Sequence, residues 1–400
     1  MRPGIRRTLF FGAVLLFWGF ALLMPMFSAD AAFTIEKLPE EEWPVFDDDE
    51  SLQRLADAIS SSIAYYERLP GERAFSYGSG VYRAADLAAG LRRFRDFLET
   101  NPGSGELNDF IRANGSIYAY REMGRPVEVL FTGYFVPGMP GSRKPSERFG
   151  HPVYGRPDDL VEVHLSAFDL SCGPKTLIGR QHGKTVTPYF SRREIDAGAL
   201  EGRAVPIAWV SDPVALFFLH VQGSGTIHLE DGGLVHLHYA ISNGLPYRSI
   251  GRYLIDTGRV AAAEMSMQKI AQYIRANPDE TDEILHYNPR YIFFAEGAHG
   301  ARGCIGVPLT RGRSVALDQG AFPPGALLFI QSSKPAYDGA GGIDKWVDFS
   351  RFALNQDTGS AIRGPRRADL FWGTGVEAET AAGHMQHPGR VYIVTIRPGP

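Results

Sequence analysis

From Val127 onward, short runs of β-branched and aromatic residues are cut by glycine and proline, and strand–helix alternation never sets in. VEVLFTGYFVP, LVEVHLSAFDL, VPIAWVSD and ALFFLHVQGSGTIHLEDGGLVHLHYAI read as strands, as do NPRYIFF, VALDQG, ALLFI and VYIVTI further on. Glu230-Asp231-Gly232-Gly233 is a hairpin turn between two alternating segments. This order excludes a Rossmann or TIM arrangement, whose parallel sheets need a helix after each strand. The 45 glycines and 27 prolines fit a turn-rich β protein.

Upstream the period is helical. Leu52, Leu55 and Ile59 recur on one face, and Ile111, Ile117 and Tyr120 form a second, less regular patch. Two or three amphipathic helices are expected between residues 51 and about 125, broken at residues 101–105 (NPGSG). The acidic stretch at residues 36–49 reads as a solvated lead-in. A further helix is expected at about 262–277, and Thr374 with Glu377 forms a capping box for a last one running toward Gly383. A chain of 400 residues with 44% hydrophobics supports one or two domains, here mainly β with N-terminal helices.

Arg2, Arg6 and Arg7 precede an apolar run over residues 9–27, followed by Ser-Ala-Asp-Ala-Ala. This pattern is an export signal with an Ala-x-Ala site after Ala31. The run is also long enough to be retained as a membrane anchor. No cysteine lies near it, so a lipid-modified N-terminal cysteine is excluded. The two cysteines, Cys172 and Cys304, either pair in an oxidising compartment or remain free thiols, and their spacing does not suit zinc. Without residues 1–31 the chain keeps 38 basic and 44 acidic side chains, and no basic block marks a nucleic-acid site.

HExxH, P-loop, GxGxxG and GxSxG patterns are absent. Ser224, in QGSG just before the hairpin, reads as a turn residue and not a nucleophile. His236 and His238 share a strand face without a third ligand, which favours cross-strand contacts over a metal. The remaining candidates are Asp348, Asp357 and Asp369. Asp369 lies among Ala368, Leu370, Phe371 and Trp372, where desolvation raises a carboxyl pKa and suits it to give a proton to a leaving oxygen. Phe371 and Trp372 could stack on a sugar. The bland reading makes all three loop aspartates that cap turns. Asp357-Thr358-Gly359-Ser360 matches an aspartic-protease signature, but a second Asp-Thr-Gly is lacking, and Asn355 and Gln356 replace the usual hydrophobic pair.

Several blocks resemble the membrane-bound lytic murein transglycosylase A family: FTGYFVP at 131–137, TPYFSRREI at 187–195, VQGSGTIHLEDGG at 221–233, NPRYIFF at 288–294 and QDTGSAIRG…ADLFWGTG at 356–375. The resemblance implies a double-psi β-barrel domain over residues 33–137 and 289–400. It also implies an inserted β domain over 138–288, with a glycan groove between the two. It makes Asp369 the catalytic acid, Asp357 and Asp348 supporting aspartates, and Thr132, Tyr134, Tyr189, Gln222, Phe371 and Trp372 groove residues. The implied partner is peptidoglycan, cut without metal or cofactor by a monomeric periplasmic enzyme that wall-synthesis proteins could recruit. A two-aspartate glycan hydrolase and a non-catalytic wall-binding protein are the alternatives. Serine in place of the family's second glycine after Asp-Thr-Gly keeps the turn and adds a hydroxyl.

Overall fold

The computed structural model describes residues 33–399 except 170, 172–174, 298–299, 339–341 and 360. The expected signal or anchor at 1–31 lies outside the described residues, as does the Cys172 half of the possible disulfide. Strand β1 (Phe33–Lys37) leads to helix α1 (Leu52–Glu67), the hairpin β2 (Ala74–Tyr77) and β3 (Gly80–Arg83), then α2 (Ala84–Leu98) and α3 (Ser104–Asn114). Leu55 and Ile59 of α1 are fully buried, and residues 101–103 make the expected break. Helical structure ends at Asn114. β4 (Gly115–Glu122), carrying Ile117 and Tyr120, is a strand between β1 and the C-terminal strand, so of the second patch only Ile111, in α3, is helical. The local spacing was ambiguous; pairing on both edges decides it.

After the two-residue β5 (Arg125–Pro126) comes β6 (Val129–Val136). A second group then forms: β7 (Gly138–Ser142), β8 (His151–Tyr154), β9 (Leu160–His164), β10 (Thr176–His182), β11 (Thr185–Pro188), the short turn α4 (Arg192–Glu194) and β12 (Pro206–Val210). Helix α5 (Pro213–Gln222) replaces the strand expected of ALFFLHVQ. Asp212 caps it by accepting from Val214 and Ala215 N–H, Pro213 opens its first turn, and Gly223 ends it at φ 75°. Its apolar residues are buried nearly all round, which hides the helical period. The hairpin β13 (Ser224–Leu229) and β14 (Leu234–Ser242) turns at Glu230–Gly233 as expected, and Thr226 faces His236 across it at 3.2 Å. Helices α6 (Ile250–Asp256), α7 (Met267–Ala276) and α8 (Thr281–His286) precede β15 (Ile292–Gly297). β15 pairs with β14 in the second sheet, although the expected boundary at 289 gave it to the barrel.

The C-terminal part supplies β16 (Ser314–Ala316), β17 (Leu327–Tyr337), β18 (Ile343–Asp357), β19 (Arg367–Thr374), α9 (Val376–His384) and β20 (Gln386–Ile396). Strands run β20-β17-β18-β16-β19-β6, and β6 pairs back onto β20, closing a six-stranded barrel. Two neighbouring pairs, β16–β18 and β19–β6, are parallel. The Thr374–Glu377 capping box does not form: Thr374 ends β19, and Gly375 at φ 89° precedes α9.

Long-range polar clamps hold these layers. The acidic lead-in is solvated over Glu36 and Glu40–Glu42, as expected, but docked at its end. Asp48 receives Arg313 through two bonds of 2.7 and 2.8 Å, Asp49 receives Arg351, and Phe46 lies in the core. A local reading misses these arginines because they lie some three hundred positions away. In the second part, buried Arg192 donates to the carbonyls of Asn288 and Arg290 and to His220. TPYFSRREI and NPRYIFF are thereby tied together. Burial keeps His220 neutral, so it can accept.

Candidate active site

β19 lies between β16 and β6, and its register brings the acids together. Ala316 of β16 pairs with Asp357 at the end of β18 on one side and with Asp369 on the other. Asp369 in turn pairs with Thr132 of β6, and Phe371 with Tyr134. Because strand side chains alternate, Thr132 and Tyr134 share one face of β6 and turn toward the two carboxylates. Gly133, between them, faces the other way. A Cβ there would meet Trp372 Nε1 at 2.6 Å and Ala382 Cα at 2.8 Å, so α9 and Trp372 can press on the β6 backbone only over glycine.

The Thr132 hydroxyl donates to Asp369 Oδ1 at 3.0 Å, and the Tyr134 hydroxyl to Asp357 Oδ2 at 3.0 Å. The backbone N–H of Cys304 fills Asp357 Oδ1, also at 3.0 Å. Both acids are half-buried. Burial pushes the Asp369 carboxyl up to about 6; the Thr132 bond and the Arg367 charge pull against this, and Asp357 adds to it. Burial likewise takes Asp357 up to about 6, opposed by the Thr358 and Cys304 N–H groups and by Tyr134. Tyr134 stays protonated, raised by burial and by both carboxylates. α9 starts at Val376, seven residues past Asp369 and beyond the end of β19.

The structure separates the other expected residues from this pair. Asp348 is exposed on β18, about 30 Å along the strand from Asp357, and bonds Ser333 at 3.1 Å. A further aspartate, Asp318, lies two residues past Ala316. Its carboxylate takes the N–H of Gly364 at 2.7 Å and so holds the loop joining Asp357 to Asp369. Phe371 and Trp372 are 4% and 7% exposed and belong to packed clusters, so neither offers an open face for a sugar. Phe371 instead backs Tyr134 at a 5.2 Å ring separation. Tyr189 is buried in the second part and bonds Asp159 at 2.7 Å. Gln222 is half-buried and accepts from Phe135 N–H, linking the end of α5 to β6. A cavity of about 610 Å³, lined by Phe135, Met139, Ala215, Met267 and Gln268, lies on the Phe135 side of β6, away from the acids. Sequence reading missed Cys304, Asp318 and Arg367. Only Arg367, two residues before Asp369 on a strand, carried a signal, through the period of two.

A closed barrel with two half-buried carboxylates near pKa 6, each held by a hydroxyl from one adjacent strand, defines an acid–base enzyme site. The comparisons identify which one. The MltA specific insert domain matches residues 130–295, and the 3D domain matches residues 313–395. Membrane-bound lytic murein transglycosylase A of Escherichia coli K12 is 32% identical over 306 residues, covering 73% of this chain and 75% of that protein. The Vibrio cholerae protein of that name is 31% identical, covering 68% and 67%. The crystal structure of a membrane-bound lytic murein transglycosylase from Agrobacterium tumefaciens aligns with a TM-score of 0.74 at 29% identity, covering 91% of this chain and 98% of that one. E. coli MltA with bound chitohexaose aligns at 0.66 and 25% identity, covering 92% and 95%. The chain belongs to the membrane-bound lytic murein transglycosylase A family.

Proposed function

We propose that this enzyme is a peptidoglycan lytic transglycosylase that cuts the β-1,4 bond between N-acetylmuramic acid and N-acetylglucosamine and leaves a 1,6-anhydromuramoyl end. The observation that carries the reading is Asp369, a recessed carboxyl near pKa 6 whose Oδ1 is occupied by Thr132. Protonated Asp369 gives its proton to the glycosidic oxygen as the C1–O4 bond breaks and positive charge develops at C1. The carboxylate then takes the proton from the C6 hydroxyl of the same muramic residue, and O6 closes on C1. One acid serves twice, water is not consumed, and the intramolecular nucleophile has a high effective concentration.

The state of Asp357 favours this over two-carboxylate hydrolysis. Its two oxygens accept from Cys304 N–H and Tyr134, which fits an orienting partner better than a base turned to a substrate water. Its part is to orient Tyr134 and to raise the Asp369 pKa. Residues 138–288 would form the second wall of a groove whose floor is the barrel. The substrate is the glycan strand of peptidoglycan, met in the periplasm after export by a monomer whose relatives are named membrane-bound. The test is product analysis of digested peptidoglycan by mass. Anhydro ends, lighter than hydrolytic ends by one water, are expected from the native enzyme and are lost in Asp369→Asn. Hydrolytic ends, or full activity in Asp369→Asn, would refute the assignment.

A further inference from the structure

Arg367 stands two residues before Asp369 on β19 and therefore on the same strand face. Its Nη2 donates to Thr132 Oγ1 at 3.4 Å, while its Nε is buried without an acceptor. No carboxylate lies within ion-pair distance of it among the described residues. A buried unpaired donor is costly, and folded proteins seldom keep one without a use for the side chain. Thr132 makes the use clear. A hydroxyl has one proton and two lone pairs. With the guanidinium occupying a lone pair, the proton has two acceptors in reach: the Ala368 carbonyl at 3.4 Å and Asp369 Oδ1 at 3.0 Å. The shorter contact wins, and a donor on the same oxygen polarises the hydroxyl toward it.

We propose that Arg367 is a positioning residue for Asp369: acting through Thr132 it reserves Oδ1 as an acceptor, leaves the transferable proton on Oδ2, and supplies the cation that steadies the carboxylate between the two proton transfers. The inference rests on Asp369 being the acid, as above. The groups facing Asp369 are Thr132 and Tyr134 from β6, Asp357 from β18, Ala316 from β16 and Arg367 from its own strand; Gln386 of β20 pairs with Thr132. Arg367 is the cation of this set. Its loss leaves Asp369 beside a carboxylate with no opposing charge.

The test is the pH–rate profile on intact peptidoglycan. Because the acid form starts the reaction, the rate falls as pH rises through the Asp369 pKa. Arg367→Met should move that limb upward by about half a unit to one unit and lower the plateau rate about 10-fold. Arg367→Lys, which keeps the charge, should hold the limb near its native position. Thr132→Val, which breaks the relay but keeps the cation, should also lower the plateau rate and raise the limb, and it serves where Arg367→Met folds poorly. An unmoved limb in Arg367→Met or Thr132→Val, or an equal shift in Arg367→Lys, overturns the inference. Asp369→Asn in the same assay separates the two claims. Should it be inactive while Arg367→Met behaves as native, the acid stands and the positioning role falls. Should it be fully active, the acid assignment itself falls.

Discussion

Asp48→Ala should unfold this enzyme far more readily than a surface change in an acidic stretch would. Asp48 and Arg313 have side-chain exposures of 2% and 0%, and the carboxylate accepts two guanidinium bonds and the Phe352 N–H at 2.9 Å. Alanine removes these three bonds and a fourth from Glu50 N–H at 3.0 Å, and leaves a buried guanidinium with only the carbonyls of Phe352 and Ser51 as acceptors. Breaking a buried pair from one side costs about 3–5 kcal/mol, mainly through the stranded charge. Against a total of about 5–15 kcal/mol that is a severe loss. For a domain of this size it corresponds to a drop of roughly 6–10 °C at about 2 °C per kcal/mol. Urea unfolding and thermal melting measure it. Adding Arg313→Met should recover at least about 1 kcal/mol, because the stranded charge goes with it. A loss below about 1 kcal/mol in Asp48→Ala, or no recovery in the double variant, would show that water reaches the pair and that the lead-in is peripheral.

The acid pair makes a prediction about stability against pH. Both carboxyls are raised from 3.8 to about 6 on folding, so between those values the native state keeps protons that the unfolded chain has released. Stability therefore falls as pH rises from about 4 to about 6 and stays lowered above that. Asp369→Asn and Asp357→Asn should melt above the native enzyme at pH 7.5 but not at pH 4, and a lower melting point at pH 7.5 would contradict the desolvation. Gly133→Ala should cost about 1–3 kcal/mol, since the new methyl must displace either Trp372 or the α9 backbone. It should also lower activity by shifting Thr132 and Tyr134, and native stability together with native rate would count against the packing described.

Asp369 stood out in the sequence by its apolar and aromatic flanks, and the structure finds its carboxyl desolvated, but of those flanks only Phe371 shares its strand face, so the burial is the work of the barrel. The same logic failed for Phe371 and Trp372. Sequence shows that they are aromatic but not that Tyr134 and Gly133 lie against them and close them off. Asp318 was passed over in the sequence because nothing local distinguishes it from Asp348 or any other isolated strand or loop acid. Only the β16 register, which sets Ala316 between Asp357 and Asp369, separates them. Helix α5 was misread because a helix buried nearly all round has no polar face to reveal its period, although Asp212, Pro213 and Gly223 bracketed it correctly. The arginine clamps could not be read at all, since a buried ion pair between Asp48 and Arg313 leaves no trace at either end alone.

The seam between β6 and β20 is the last part of the barrel that the ribosome can complete. The strand carrying Thr132 and Tyr134 is among the earlier ones made, whereas the strand that locks it into the barrel begins only at Gln386. A chain halted between Asp369 and Gln386 already holds both acids and both hydroxyls, yet its barrel is an open sheet with an unpaired edge. Such distant pairing forms slowly. An unfinished copy thus has the residues of the site without the closed barrel that holds them in register.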